Sequence, residues 1–359
     1  MKQREKITLL CGLAAFAYAC GPDQSPVGPA AVKRLAADAT EADQPAYGPW
    51  SAPVNLGPVV NSPYNDNHPA ISKDGLSLYI TSGRPGGVNG ANALQFEEIW
   101  VSQRASRDAD WGAPVNLGPV INAVGSNTGS PTFTPDGHRM YLHSNRPGLC
   151  GLADLYVARR HDKRDDFGWG PPESLGCVVN GPFNDNGPTY SEDETTGITT
   201  LIFTSTRPGG PGDFDIYQST RVGDEGEFGP AVLVPELSGP GRDTRTAIRR
   251  DGLEIFLSSD VTGRAGGVGS QDIWVTTRAT TLDPWSTPVN LGPTVNSAAF
   301  DGAPALSFDG TTLYFFSERL GGFGKRDLYV TTRARLRGPD VAEDAGVETH
   351  HNGQGHGKE

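Results

Sequence analysis

The sequence repeats one phrase five times, and this repetition constrains the fold more than any local pattern does. The phrase opens with an aromatic residue and continues as Pro-Val-Asn-Leu or a variant of it, starting at Trp50, Trp111, Trp169, Phe228 and Trp285. Successive starts lie 61, 58, 59 and 57 residues apart. Such a regular period is typical of architectures built from repeated supersecondary units.

Each repeat contains four short strand signals separated by turn residues. The Pro-Val-Asn-Leu segment is the first, and an apolar segment such as residues 69–72 is the second. An Asp-Gly turn, a strong hairpin signal, then leads into an alternating third segment such as residues 76–82. The fourth runs from an acidic residue to an arginine, as from Glu98 to Arg104. Four antiparallel strands per repeat, arranged radially, predict an all-β, five-bladed β-propeller over residues 50–333.

The order of the strand signals also predicts how the ring closes. The first repeat begins with a Pro-Val-Asn-Leu strand, and the last ends at Arg333, directly after a fourth-strand signal. If the Pro-Val-Asn-Leu strand is the outermost of each blade, the last blade lacks one, and residues 50–57 supply it. Closure by the N-terminal strand removes an open sheet edge. A β-sandwich, by contrast, gives no reason for the period.

The repeat also resembles a known family. Its consensus is Pro-x-x-[Ser/Thr]-x-Asp-Gly-x-x-[Leu/Met]-Tyr-x-x-Ser-x-Arg-x-Gly-Gly, followed by Asp-[Ile/Leu]-Tyr-Val. This run resembles the WD-like propeller repeats of the TolB type, which occur in bacterial envelope proteins. The resemblance implies a non-catalytic scaffold that binds a protein or glycan of the cell envelope on one face. It supplies no catalytic residues.

The N-terminus predicts export. Three basic residues precede the apolar run of residues 7–19, which is too short for a stable membrane span. Ala17-Tyr18-Ala19 followed by Cys20 resembles a lipobox, so we expect a signal peptide at 1–19 and lipidation of Cys20, with plain secretion after Ala19 as the alternative. We expect disordered segments at 20–49, as a tether, and at 334–359, as a polar tail. The expected location is the bacterial envelope, lipid-anchored to the outer membrane or else periplasmic or secreted.

Charge and cysteine content narrow the partners. The formal charge of -12 argues against nucleic acid and against anionic membrane surfaces, so the lipid anchor is the only membrane contact expected. Apart from Cys11, which lies in the signal peptide, and Cys20, the cysteines are Cys150 and Cys177. An even pair in an oxidising compartment predicts a disulfide, here at the upper rim of blade two, the end at which the innermost strands begin, although two separately buried thiols are the alternative. Neither cysteine has metal-ligand spacing, and no cofactor or metal is expected.

Recurring aspartates suggest a possible site at the end of the ring where the innermost strands begin, which we call the upper end. They are Asp66, Asp185, Asp243 and Asp301. One interpretation is a carboxylate ring that binds a ligand, and a glycoside hydrolase using two such carboxylates is the alternative function. The other interpretation is structural: residues that recur in every blade cap turns and pair with the arginines of nearby loops. The repeat places Asp260 at the arginine position of blade four.

Departures from the repeat identify further candidates. Blade four breaks the pattern most, with Arg242, Asp243 and Arg245 before or within its inner strand, and His68 is the only histidine at that level of the ring. The predicted ligand-binding set is therefore Asp66, His68, Asp185, Arg242, Asp243, Arg245 and Asp301. No nucleophile elbow, zinc-protease helix or phosphate loop occurs, so no catalytic residue is assigned.

Overall fold

The structure, a computed structural model, describes residues 46–90, 95–148, 150–223, 226–260 and 262–336. Its strands form five four-stranded antiparallel sheets and one two-stranded sheet. The predicted signal peptide, Cys20 and most of the predicted tether and tail lie outside the described residues. Within the described residues, no helix is long and apolar enough to cross a membrane.

The first three blades follow one another along the chain, each running from its innermost to its outermost strand. Blade one consists of β3 (Asp66–Ile71), β4 (Ser77–Ser82), β5 (Glu98–Gln103) and β6 (Val115–Asn116). Blade two consists of β7 (Thr128–Phe133), β8 (Arg139–Ser144), β9 (Asp154–Arg159) and β10 (Glu173–Ser174). Blade three consists of β11 (Asp185–Asp193), β12 (Ile198–Ser205), β13 (Asp215–Val222) and β14 (Val232–Leu233).

The last two blades complete the ring. Blade four consists of β15 (Asp243–Ile248), β16 (Glu254–Asp260), β17 (Gln271–Thr277) and β18 (Val289–Asn290). Blade five consists of β19 (Asp301–Leu306), β20 (Thr312–Ser317), β21 (Asp327–Thr332) and the N-terminal strand β2 (Val54–Asn55). The predicted five-bladed propeller and its closure by the N-terminal strand are confirmed.

Side chains reinforce this closure. The β2 strand pairs antiparallel with β21, and Asn55 donates to the Asp327 carboxylate at 2.9 Å. Outside the predicted limits of 50–333, β1 (Ala46–Tyr47) pairs with β22 (Arg335–Leu336). Both ends of the described chain are thus tied together by backbone hydrogen bonds, and the outer edge of blade five is covered.

The hydrophobic core consists of five clusters, each formed between two adjacent blades. The repeated phrase explains part of this packing, because an arginine at or directly after the end of the third strand of each blade stacks on the aromatic residue that opens the next phrase around the ring. The guanidinium carbon lies 4.2 to 4.6 Å from the ring centroid in the pairs Arg104–Trp111, Arg160–Trp169, Arg221–Phe228, Arg278–Trp285 and Arg333–Trp50. Cation–π stacking is favourable when the cation is partly desolvated.

The described residues also include two short helices and one disulfide. The helix α1 (Gly176–Val179) lies between blades two and three, and a 3₁₀ turn, Pro235–Leu237, lies between blades three and four. Cys177 lies in α1 and forms a disulfide with Cys150, with the two Cα atoms 5.5 Å apart. The bridge therefore connects the loop between β8 and β9 to the segment that follows β10.

Candidate active site

The four aspartates that begin inner strands, with their arginine partners, form what we call the rim. The Asp66 carboxylate accepts hydrogen bonds from Arg84 at 2.5 Å and from the Ser62 hydroxyl at 2.7 Å. The equivalent ion pairs are Asp185–Arg207 at 2.7 Å, Asp243–Arg264 at 3.2 Å and Asp301–Arg319 at 2.7 Å. All four aspartates are fully buried. Their contacts are those of turn caps, and a role as ligand groups stays a prediction.

Two blades vary the rim. In blade four the arginine position belongs to Arg264, not to the predicted Asp260. Asp260 instead accepts hydrogen bonds from Thr262 and Gly263, which shape the loop that delivers Arg264. In blade two a threonine replaces the aspartate, and Arg146 donates to the Ile121 carbonyl at 2.7 Å.

Below the rim, each inner strand contains a register shift that places one residue at positive φ. These residues are His68 (42°), Ser130 (52°), Gly187 (61°), Arg245 (38°) and Ala303 (51°). Three of them donate their backbone N–H to a hydroxyl of the preceding blade, as Ser130 to Thr81, Arg245 to Thr204 and Ala303 to Ser258, at 2.8 to 3.0 Å. Positive φ is costly for residues other than glycine, and these bonds between blades help to hold it.

Two blades lack the bonding hydroxyl. The equivalent positions hold His143 in β8 and Phe316 in β20. The rings of His143 and Phe316 lie 6.4 and 6.3 Å from that of His68, centroid to centroid, in edge-on arrangements. The places where the repeat fails thus bring aromatic and imidazole rings together in the central channel.

Both histidines are neutral at pH 7. Burial, reinforced by the charge of Arg245, lowers the pKa of His143 to about 4. Burial and the charges of Arg245, His143 and Arg326 hold the pKa of His68 well below its usual value. The Nδ1 atom of His143 has no hydrogen-bond partner among the described residues, while its ring also bonds to the backbone of Gly129. Nδ1 is therefore a buried nitrogen with unused hydrogen-bonding capacity, on a side chain that lines the cavity described below.

A hydrogen-bonded chain connects His68 to a carboxyl group. His68 Nδ1 lies 2.9 Å from Asn67 Oδ1, and Asn67 Nδ2 donates to Glu97 Oε1 at 3.0 Å. Because Asn67 uses its amide N–H toward Glu97, its oxygen accepts from His68, which fixes the N–H of His68 on Nδ1. The bond also orients the Glu97 carboxyl group. The residues Asn67, His68, Glu97, His143 and Arg245 are called the channel cluster below.

Glu97 lies in a cavity at the upper end of the channel. This upper cavity has a volume of about 510 Å³, and its lining includes Asn65, Asn127, His143 and Lys325. Among the described residues that line it, Glu97 is the only carboxylate. Burial raises the pKa of Glu97; the Asn67 hydrogen bond and Arg326 oppose this shift, and Asp66 reinforces it. No described lysine or arginine forms an ion pair with Glu97.

The structure thus divides the predicted ligand set. His68 and Arg245 lie in the channel, whereas the four aspartates belong to the rim. Arg242 is exposed, and its guanidinium carbon lies 4.5 Å from the ring centroid of Phe214. Among the described residues, no three histidine, cysteine, aspartate or glutamate side chains converge in a way that could hold a metal ion.

Sequence reasoning missed Glu97 and His143, although each leaves a signal. Glu97 directly precedes the recurring acidic residue of the fourth strand signal, where the other repeats have Ala153, Phe214, Gln271 and Arg326. His143 occupies the position of the bonding hydroxyl. Both are departures from the repeat of the kind that identified His68, but at positions whose role only the folded ring defines.

Comparison with known proteins gives a likeness of structure alone. No protein-family model and no curated protein sequence matches the chain. The catalytic domain of a Coprinopsis cinerea GH62 α-L-arabinofuranosidase matches at 14% identity and TM-score 0.53, over 81% of this chain and 98% of that one. An α-L-arabinofuranosidase from Lactobacillus brevis matches at 16% and 0.52, over 78% and 92%. A Bacillus subtilis arabinanase matches at 14% and 0.50, over 77% and 96%.

These matches correct two expectations. At such low identity they establish the fold and not an activity, but the matching propellers are those of glycoside hydrolases rather than of TolB-type proteins. The expectation of a non-catalytic binding scaffold rested on the TolB resemblance and is wrong on this comparison. The repeat consensus reports what any blade needs, namely hairpin turns and capped loops, and so it does not distinguish one propeller family from another.

Proposed function

We propose that the protein is a glycoside hydrolase whose reaction takes place in the upper cavity, with Glu97 as the proton donor. The observation that carries the proposal is a carboxyl group without an ion-pair partner among the described residues, held in an open cavity and shifted to a higher pKa by burial. Glycosidases need one carboxyl group that is still protonated when substrate binds.

The surroundings of Glu97 suit proton donation. Asn67 holds Oε1, so the proton resides on Oε2 and can pass to the glycosidic oxygen as the bond to the sugar breaks. Asn67 is itself fully buried, which limits rotation of the carboxyl group. Fixing the donor in one orientation lowers the entropic cost of reaching the transition state.

His143 is the group we assign to activate water. Its pKa of about 4 is close to that of an ordinary carboxylate, roughly 4, so its neutral imidazole accepts a proton about as readily as the carboxylate base of other glycosidases. Nδ1 would take the proton as the water oxygen attacks the anomeric carbon, and this direct displacement inverts the configuration. The His143 proton then returns to solvent through the cavity, and Glu97 takes up a proton from solvent, so both groups are reset for the next turnover.

The substrate class is proposed from the structural matches. The matching enzymes are named for arabinofuranosides and arabinan, so glycans with terminal or linked arabinofuranose are the first substrates to test. We also propose that the protein is exported and anchored through Cys20, and acts on glycans outside the cytoplasm. The Cys150–Cys177 disulfide supports this, because disulfides are typical of oxidising compartments.

The test is hydrolysis by the Glu97→Gln variant. The wild-type protein should release sugar from arabinan or from aryl arabinofuranosides, and the variant should lose about 10²- to 10⁴-fold in kcat/KM, the usual contribution of a general acid. The loss should be smaller for aryl glycosides with acidic leaving groups, which need little protonation. Glu173→Gln, at an exposed position of β10, is the matched control and should retain full activity. Failure of the wild-type protein on every substrate, or full activity of Glu97→Gln, would overturn the proposal.

A further inference from the structure

Arg245 is a buried cation with unused hydrogen-bond donors. Only 4% of its surface is exposed. Its Nη2 group donates to the Pro131 carbonyl at 2.8 Å, but Nε and Nη1 have no partner among the described residues. By contrast, each rim arginine described above other than Arg146 is paired with a carboxylate. Buried donors without partners are uncommon in folded proteins and point to a missing acceptor.

The charge of Arg245 is also unopposed. Burial lowers its pKa to about 9, and no described carboxylate counteracts that shift. The charge of Arg245 lowers the pKa values of His68 and His143 in the channel. A buried charge loses its hydration, and only a partner of opposite charge or a set of hydrogen bonds compensates for that loss. Buried charges in proteins are therefore normally paired.

A second cavity gives access to this charge from the lower end of the ring, where the inner strands terminate. Arg245 lines this lower cavity, whose volume is about 140 Å³. A water molecule takes up about 30 Å³ in the liquid, so the space holds a small ion with a few waters. The charged side chains along its wall are Lys73, Glu192, Glu194, Arg245, Arg249 and Arg250. Four are cationic and two anionic, and Glu194 is already paired with Arg250 at 2.6 Å.

We propose that the lower cavity is a binding site for a small monovalent anion, held by the unpaired charge of Arg245, which lines the cavity. The ligand is a halide ion or the carboxylate of a small organic acid, which share a single negative charge and a small radius. Its negative charge offsets the buried charge of Arg245, which no described carboxylate pairs. This site is separate from Glu97 and does not depend on the proposed hydrolase activity.

The experiment measures anion binding by the full chain, without any glycan. Thermal midpoints are recorded at constant ionic strength while gluconate, too large for the cavity, is replaced by chloride in one arm and by acetate in the other. We expect the wild-type midpoint to rise by about 2–4 °C in at least one arm, and the ³⁵Cl line to broaden if chloride binds. A response to chloride alone identifies a halide site, and a response to acetate alone identifies a carboxylate site.

Variants decide whether Arg245 is responsible. Arg245→Met should weaken the anion response at least tenfold, whereas Arg242→Met, an exposed arginine three residues away, should leave it unchanged. A wild-type readout covers the case in which Arg245→Met does not fold: the anion should raise the pKa of His143, followed by NMR, because it offsets the charge of Arg245. Equal responses in Arg245→Met and wild type, or a wild-type protein whose midpoint and His143 pKa ignore both anions, would overturn the proposal.

Discussion

Three members of the channel cluster, Asn67, His68 and Arg245, lie one or two residues after a rim aspartate on the same inner strands, whereas Glu97 precedes β5 and His143 lies in β8. The rim and the channel cluster differ in how completely their polar groups are paired. Asp66 is fully buried and bonded to an arginine, a hydroxyl and a backbone N–H. In the channel cluster, by contrast, Glu97 has no ion-pair partner, and His143 and Arg245 keep donors or acceptors unused, among the residues that the structure describes. The rim aspartates are fully bonded within the repeat, whereas Glu97, His143 and Arg245, which depart from the repeat, retain bonding capacity.

We therefore expect the rim to contribute mainly to stability and the channel cluster mainly to ligand binding or catalysis. Removing one partner of a buried, hydrogen-bonded ion pair lowers stability strongly, because the other charge stays buried and unpaired. An unsatisfied buried group costs stability in the free protein and is typical of functional sites. The two regions should therefore respond differently to substitution.

The largest effect should come from the recurring architecture itself. Deleting residues 50–57 removes β2, exposes the edge of β21 and uncovers part of the last blade, so we expect the cooperative unfolding transition to be lost. Urea unfolding followed by circular dichroism measures this. Val54→Thr, which keeps the backbone pairing at an exposed position, is the control and should unfold normally. An unchanged midpoint after the deletion would show that the ring does not need its closing strand.

A smaller effect separates the rim from the channel cluster directly. Asp185→Asn leaves Arg207 without its carboxylate in a largely buried setting, so the free energy of unfolding should fall by about 3 kcal/mol. Glu97→Gln removes a carboxyl group that no cation pairs with, so it should change stability by less than about 1 kcal/mol. Denaturant midpoints of the two variants test the contrast. Equal losses of stability would mean that Glu97 stabilises the fold as much as Asp185 does.

The smallest effect is a pH dependence that arises in the channel. The pKa of His143 is about 4 in the folded protein and about 6.5 when unfolded, so the unfolded chain binds more protons between these values. The free energy of unfolding is therefore not reduced by His143 above pH 6.5. It falls by about 2 kcal/mol, after allowance for solvent in the cavity, as the pH decreases toward 4. His68 acts in the same direction.

The His143→Asn variant measures this contribution. Its free energy of unfolding should depend less steeply on pH between 6.5 and 4 than that of the wild-type protein. His161→Asn, at an exposed position, should keep the wild-type slope. A variant without His143 that remains fully acid-sensitive would contradict the assignment.

Part of the candidate site was predictable, and the reason is instructive. His68 and Arg245 stand out because the repeat defines what each blade normally has at the inner strand. The role of Arg264 was not predictable from the repeat, because the loop of blade four carries its arginine four residues beyond the aligned position. Glu97 and His143 occupy positions that look like ordinary variation until the bulges of the inner strands are known.

By itself the sequence determined the number of blades, the four strands in each and the closure by residues 50–57, because hairpin turns, alternation and the period are local properties of the chain. Only the tertiary structure decided which side chains share the channel. The register shift in each inner strand redirects one residue, and a slip of a single position sends a side chain to the opposite face. Ring closure then brings Asn67, Glu97, His143 and Arg245 around one axis, although long stretches of sequence separate them.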